Sequence, residues 1–264
     1  MTDKRGTSTM TQGVLLDLAG VLYDGTRPVA GAAEAVARLR AAGLPLRFLT
    51  NSTRRSRQGI LHSLAGMGFD IAAKELLTPA AAACDWLRRE GRAPHLLVHP
   101  DLEEDFKDVP RTGPPAVVLG DAGQFFTYER LNAAFRVLNE GAPFLALAAN
   151  RTFRDADGAL SMDAGAFVQA LEYSSGTRAR LFGKPSASFF QAGVAQLGCD
   201  AATVIMIGDD AESDVAGAIS AGVGHAVLVQ TGKYQPGDET RFTPAPSAVA
   251  PDISSAVLAI LRDV

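Results

Sequence analysis

At 264 residues, the chain is long enough for one large domain or two modest ones, each with a well-buried core. Hydrophobic residues make up 47% of it and charged residues 20%, which excludes a disordered chain, and the formal net charge of −4 excludes the basic surface of a nucleic-acid binder. Two cysteines, Cys84 and Cys199, form neither a CxxC nor a zinc spacing, so a disulfide scaffold is excluded and a reducing, cytoplasmic setting is expected. No run reaches the length of a membrane span, no apolar signal core opens the chain, and residues 1–12 read as polar and patternless.

From there the rhythm is a short apolar run, a loop, and an amphipathic helix. Residues 14–16 read as a buried strand, 30–42 as a helix stopped by Gly43, 46–49 as a strand, and 56–67 as a helix ending at Gly68. A middle stretch repeats the pattern, with strands at 95–99, 116–119 and 144–148 and helices at 80–90, 128–139 and 164–174. The segment 110–115 is a Pro- and Gly-rich loop within it. After Gly183 come a helix at 188–197, a strand at 204–207, a helix at 214–221, a strand at 226–229 and a closing helix at 254–261. Alternation of this kind predicts an α/β fold, a doubly wound, Rossmann-like parallel sheet covered on both faces. The outer segments, 1–78 and 183–264, are expected to form its core domain, and 79–182 an inserted α/β cap domain.

Polar residues follow directly on apolar strands at three places: Asp17, Thr50-Asn51 and Asp209-Asp210. Ligands of open α/β sheets bind at the carboxyl ends of the strands, so these groups are candidates for one site. Two carboxylates meeting there repel unless a cation sits between them, and hard oxygen ligands beside phosphate suit Mg²⁺. A carboxylate is also a competent nucleophile toward phosphorus. Lys184, between Gly183 and Pro185, supplies positive charge, and Thr50 and Asn51 supply neutral donors, as phosphoryl transfer requires. Taken singly, an Asp or a Thr-Asn after a strand is more often a turn or cap residue, and a lone Lys is more often solvated.

Their order carries more weight. Asp-Leu-x-Gly-Val-Leu-Tyr-Asp-Gly from Asp17, Thr-Asn-Ser from Thr50, Gly-Lys-Pro from Gly183 and Gly-Asp-Asp-x-x-x-Asp-Val from Gly208 resemble the four signature motifs of the haloacid-dehalogenase superfamily, in its order. The long insert between the second and third motifs resembles the type-two cap subclass. Leu171-Glu172-Tyr173 and Thr231-Gly232-Lys233-Tyr234 point to one subgroup of it. The resemblance implies a Mg²⁺-dependent phosphatase and a homodimer. It implies that Asp17 attacks phosphorus and that Asp17, Asp209 and the backbone carbonyl of Ala19 bind the metal. Asp210 or Asp214 assists through water or by holding Lys184, Thr50 and Asn51 bind the phosphoryl group, and Lys184 neutralises it. Small phosphorylated molecules or phosphorylated protein side chains are the implied substrates.

Ala19 departs from the superfamily pattern, in which a second Asp stands two residues after the nucleophile and serves as acid and base. General acid–base help contributes about 10² to 10⁴ in rate, and its loss matters least for good leaving groups. Pyrophosphate, acyl phosphates and N-phosphorylated amines or imidazoles are therefore expected over sugar phosphates. Enzymes that cleave C–P bonds also lack an acid here but need a cap lysine; the chain has only Lys74 and Lys107 between the second and third motifs. A different class of function, a catalytically weak scaffold that binds phosphorylated ligands, is favoured only by Ala19.

The remaining features have plainer readings. Arg54, Arg55 and Arg57 fit a solvated helix start as well as a functional patch. His62, His95, His99 and His225 lack metal-ligand spacing. Phe125-Phe126 and Phe189-Phe190 read as core, and Gly232-Lys233 lacks the upstream glycine of a P-loop. The Arg-, Asp- and Gly-rich stretch 151–163 reads as a loop that is a candidate for substrate specificity.

Overall fold

The computed structural model describes residues 10–154 and 159–262. Most of the polar N-terminal stretch 1–12 and the centre of the 151–163 segment lie outside the described residues. The chain packs as two units, Met1–Leu49 with Phe190–Val264, and Thr50–Phe189. The division read from the sequence differs from this one by the stretches 50–78 and 183–189.

In the first unit the main sheet is parallel, and a separate two-stranded antiparallel ribbon joins Tyr23–Asp24 to Arg27–Pro28. The main-sheet strands of this unit lie in the spatial order Ala248–Ala250, His225–Val229, Val204–Gly208, Gly13–Asp17 and Leu46–Leu49. Gly13–Asp17 and Val204–Gly208 are buried along their whole length, which explains why they read as continuous apolar runs and not as alternating ones. They pair in register, Leu16 opposite Ile207. The next strand of this sheet in the chain, Leu46–Leu49, lies on one side of Gly13–Asp17, and Val204–Gly208 lies on the other. The strand order therefore reverses between Gly13–Asp17 and Val204–Gly208, and a sheet of this kind opens its ligand crevice at that point. Asp17 ends one of these strands and Asp209 follows the other.

The helices of this unit follow the sequence pattern. Ala32–Ala41 turns its Ala35, Val36 and Leu39 inward, and Gly43 takes the left-handed conformation after it (φ 75°). Ile253–Ile260 is capped by Asp252, whose carboxylate accepts the Ser255 N–H at 2.7 Å. A helix was expected at 214–221. Instead a π-helical turn, Ala211–Ala216, leads into a short α-helix, Gly217–Ser220. Asp210 starts that turn. Its carboxylate accepts the Glu212 and Ser213 N–H groups, and its carbonyl accepts those of Asp214 and Val215.

The second unit has its own parallel sheet, in the order Ala179–Leu181, Phe144–Ala146, Pro115–Leu119 and Ala93–Leu97. One core, with Trp86, Phe106 and Phe182, lies among the helix Pro79–Arg89 and its surroundings; another gathers Phe144, Ala134, Leu138, Val168 and Leu171. Ser56, Thr78 and Thr127 cap the helices Arg57–Gly66, Pro79–Arg89 and Tyr128–Asn139. Cys84 is buried filler, and burial pushes its thiol up to about 12. The stretch read as a loop at 151–163 contains an antiparallel pair, Thr152–Arg154 with Leu160–Met162. The edge strands Ala179–Leu181 and Ala248–Ala250 were not foreseen, because three residues carry no readable period. Among the described residues, no helix is long and apolar enough to cross a membrane.

Two substitutions test these packing claims. Asp252→Ala removes a cap and should cost about 1 kcal/mol, whereas Phe144→Ala, at 2% exposure, should cost about 3–5 kcal/mol by opening a cavity. Urea unfolding of both variants measures the difference; equal midpoints would contradict it.

Candidate active site

The first unit concentrates acid at the reversal point of its sheet. Asp17, Asp209 and Asp214 are 6%, 2% and 1% exposed, and each offers a carboxylate oxygen within 4.8 Å of the others. Asp17 and Asp209 arrive there from the ends of neighbouring strands. Asp214 arrives from the π-helical turn and passes so close over Gly208 that a Cβ there would lie 2.3 Å from its own. Its Oδ2 accepts the Asp210 N–H at 3.2 Å. Burial, with Asp17 and Asp214 beside it, pushes the Asp209 carboxyl well above the usual carboxylate range. Three hard oxygen donors packed this tightly fit a divalent cation, since an ion between them relieves both the desolvation and the repulsion.

Asp210 stands outside that trio. Besides capping the π-helical turn, it forms an ion pair with Lys233, Nζ to Oδ2 3.2 Å. Ala19 lies in the turn after Asp17 and bridges to Tyr23, and its methyl group can neither donate nor accept a proton.

Sequence reasoning missed the loop that closes on this cluster. The Lys233 N–H donates to Asp209 Oδ2 at 2.7 Å, and the Thr231 hydroxyl donates to the Gly20 carbonyl. A Cβ on Gly20 (φ 84°) would lie 2.0 Å from Asp209 Oδ2, and one on Gly232 (φ 62°) 2.1 Å from it. Burial works to lower the Lys233 ammonium, but Asp210, Asp209, Asp214 and Asp17 outweigh it and hold its pKa above the ordinary value. The available signal is a glycine following a strand and preceding a lysine; Thr231-Gly232-Lys233-Tyr234 marks the subgroup and lacks the upstream glycine of a P-loop, but neither reading assigns this loop a role at the site.

In the second unit the structure joins Asn51 to Lys184. Asn51 Nδ2 donates to the Lys184 carbonyl, and the Lys184 N–H donates to Asn51 Oδ1, both at 2.8 Å. Gly183 lies against this clasp, where a Cβ would come within 2.6 Å of Asn51 Oδ1 and of the Leu147 carbonyl oxygen. Thr50 and Lys184 are buried; the Thr50 N–H donates to the Leu77 carbonyl, and its hydroxyl oxygen accepts the Ser52 N–H. Arg54 is more than a solvated helix start: its Nε pairs with buried Asp121 at 2.6 Å, and its guanidinium lies over the Phe153 ring. Phe189 and Phe190 are core as expected. Phe125 and Phe126 are only half-buried, Phe126 stacking on Phe167.

Comparison with known proteins places the chain in a family. A model of the haloacid dehalogenase-like hydrolase family matches residues 14–110, and a second, HAD-hydrolase-like, matches 181–256. The rat phospholysine phosphohistidine inorganic pyrophosphate phosphatase is 42% identical over 234 residues, 86% of each chain. The solved 4-nitrophenylphosphatase of Thermotoga maritima superposes with a TM-score of 0.86 at 26% identity, covering 96% of this chain and 98% of that one. A glycerol phosphate phosphatase of Mycobacterium tuberculosis, solved in complex with magnesium, gives 0.81 at 25% identity, covering 94% of this chain and 77% of that one. With its motifs in place and relatives of this kind over most of its length, the chain belongs to the haloacid-dehalogenase-like hydrolase family and is a phosphatase.

Proposed function

We propose that this phosphatase is Mg²⁺-dependent and works through a phosphoaspartyl intermediate on Asp17. Its preferred substrates carry the phosphoryl group on a good leaving group: pyrophosphate, acyl phosphates and N-phosphorylated amines or imidazoles. The crowding of Asp17, Asp209 and Asp214 carries this reading, because three buried carboxylates within 4.8 Å of one another need a compensating cation. Support for the substrate class comes from Ala19 and from the name of the rat relative.

In this reading Asp17, Asp209 and Asp214 hold the ion together with the Ala19 carbonyl, and Asp210 supports them through its N–H to Asp214 or through water. A bound Mg²⁺ offsets negative charge on the phosphoryl oxygens and the carboxylates. Asp17 attacks phosphorus as the leaving group departs with its electron pair. Water then attacks the phosphorus of phosphoaspartate, releasing phosphate and restoring the carboxylate. Lys184 supplies positive charge and Thr50 donors to the phosphoryl group. Asn51, engaged with both ends of the Lys184 peptide, contributes by fixing that lysine as well as by donating. Residues 79–182 act as a cap that reads the rest of the substrate, the family resemblance supports a homodimer, and the cysteine content supports a cytoplasmic setting.

Phosphate release from pyrophosphate, phosphoimidazole, an aryl phosphate and several sugar phosphates tests the reading. Turnover should need Mg²⁺ and fall to background in Asp17→Asn; turnover without metal, or retained in the variant, would refute it. Ala19→Asp should raise turnover of sugar phosphates relative to pyrophosphate, by up to about 10² if the new carboxyl acts as a general acid. Sugar phosphates as the best wild-type substrates, with no response to Ala19→Asp, would remove the proposed preference.

The acidic cluster also predicts a sign for stability. The Asp209 carboxyl is raised in the folded state, so its contribution to stability is present at acidic pH and lost as pH rises through that raised value. Metal-free protein at neutral pH is therefore strained at this point. Asp209→Asn should raise the metal-free Tm at neutral pH and remove the further rise that Mg²⁺ gives the wild type. A metal-free Tm lowered by this substitution would contradict the claim.

A further inference from the structure

The Thr231-Gly232-Lys233 loop touches the acidic cluster without supplying a carboxylate to it. Three of its contacts converge on two neighbours, Asp209 and Gly20. The Lys233 N–H donates to Asp209 Oδ2 at 2.7 Å. The Thr231 hydroxyl donates to the carbonyl of Gly20, the residue after Ala19. Gly232 fills the space between them: a Cβ there would lie 2.1 Å from Asp209 Oδ2 and 2.5 Å from Gly20 Cα. A Cβ on Gly20 would lie 2.0 Å from the same oxygen. Asp209 Oδ2 thus occupies space that a side chain on either glycine would need, and it is tied by one backbone donor. Rotation of this carboxylate about its Cβ–Cγ bond would cost it that hydrogen bond.

The side chain of Lys233 does something else. It leaves the cluster and pairs with Asp210 Oδ2 at 3.2 Å, with 58% of its side-chain surface exposed. The orienting contact belongs to the backbone of this loop, and the charge to its surface.

We propose that Thr231, Gly232 and the Lys233 N–H are positioning residues for the metal site: they fix the Asp209 carboxylate and the Ala19–Gly20 turn in the geometry that binds the divalent cation. This rests on the reading of Asp17, Asp209 and Asp214 as metal ligands. Groups that orient metal ligands in this way typically govern affinity by about 10- to 100-fold. The sign of the side-chain effect separates this proposal from a simple charge effect. Loss of the Lys233 ammonium removes a positive charge beside a cation site and keeps the N–H, so it should not weaken metal binding. Loss of the glycine or of the threonine hydroxyl should.

Calorimetric titration of Mg²⁺ and Mn²⁺ into substrate-free protein reads this directly. Gly232→Ala and Thr231→Val should weaken metal binding by about tenfold or more, while Lys233→Ala binds metal at least as tightly as wild type. Thr231→Val adds no bulk and keeps the test open should Gly232→Ala fail to fold. Wild-type affinity in Thr231→Val and in folded Gly232→Ala would overturn the proposal, as would weakened binding confined to Lys233→Ala. The Asp209→Asn control separates the two levels. Metal binding in the wild type that Asp209→Asn abolishes upholds the ligand reading whatever the loop variants show. No metal binding by the wild type would sink that reading and this proposal with it.

Discussion

Like charge, buried and crowded, is the constraint on which the rest of this structure depends. Asp17, Asp209 and Asp214 meet at 6%, 2% and 1% exposure, where an uncompensated carboxylate is costly. The protein does not relieve this by spreading the groups apart. It uses two fully buried parallel strands, in register from Gly13–Val204 to Leu16–Ile207, to deliver two of them side by side. A capped π-helical turn delivers the third. Glycines at 20, 208 and 232 remove the side chains that would otherwise push the carboxylates apart. A fold that spends this much backbone on holding three acids together fits the proposed reading, in which a cation sits among them.

The chemistry follows from what stands in this cluster and what does not. Three buried carboxylates are present, and the place two residues beyond Asp17 holds a methyl group. On the proposed reading such a site is equipped to stabilise charge at phosphorus and poorly equipped to hand a proton to a departing oxygen. Leaving groups that depart as stable anions, or that already carry a proton, suit such a site. The Asn51–Lys184 clasp shows the same economy in the second unit: a neutral amide accepts the N–H and donates to the C=O of a buried lysine, fixing that residue's backbone.

Much of this was legible in the chain. The α/β class followed from alternating runs and helices, and Asp17 and Asp209 stood out as candidates because each stands at the end of an apolar run, which the structure shows as a wholly buried strand. The resemblance supplied Asp214, but nothing in Ala211–Ala216 announces the wide turn that carries it; helical spacing predicted an ordinary helix beginning at Asp214. The Thr231–Lys233 loop stood out as a subgroup motif, but its contact with Asp209 did not. Its key donor is a backbone N–H, which any residue other than proline possesses, so residue identity carries no mark of that contact. Arg54 was read as one member of a basic cluster because its partners, Asp121 and Phe153, lie about 70 and 100 residues away, beyond the range of local patterns. The short strands, the antiparallel pair within 151–163 among them, escaped because three residues do not establish a period.

The central claim is that Asp17 forms a bond to phosphorus, and trapping that bond tests it most directly. The enzyme would be mixed with Mg²⁺ and a substrate it turns over, quenched in acid within one turnover, digested, and its peptides examined by mass spectrometry. A phosphoryl group on Asp17, formed and lost at rates matching phosphate release and absent in Asp17→Asn, is the predicted result. Turnover with phosphoryl transfer to another residue, or with Asp17→Asn fully active, would contradict the account.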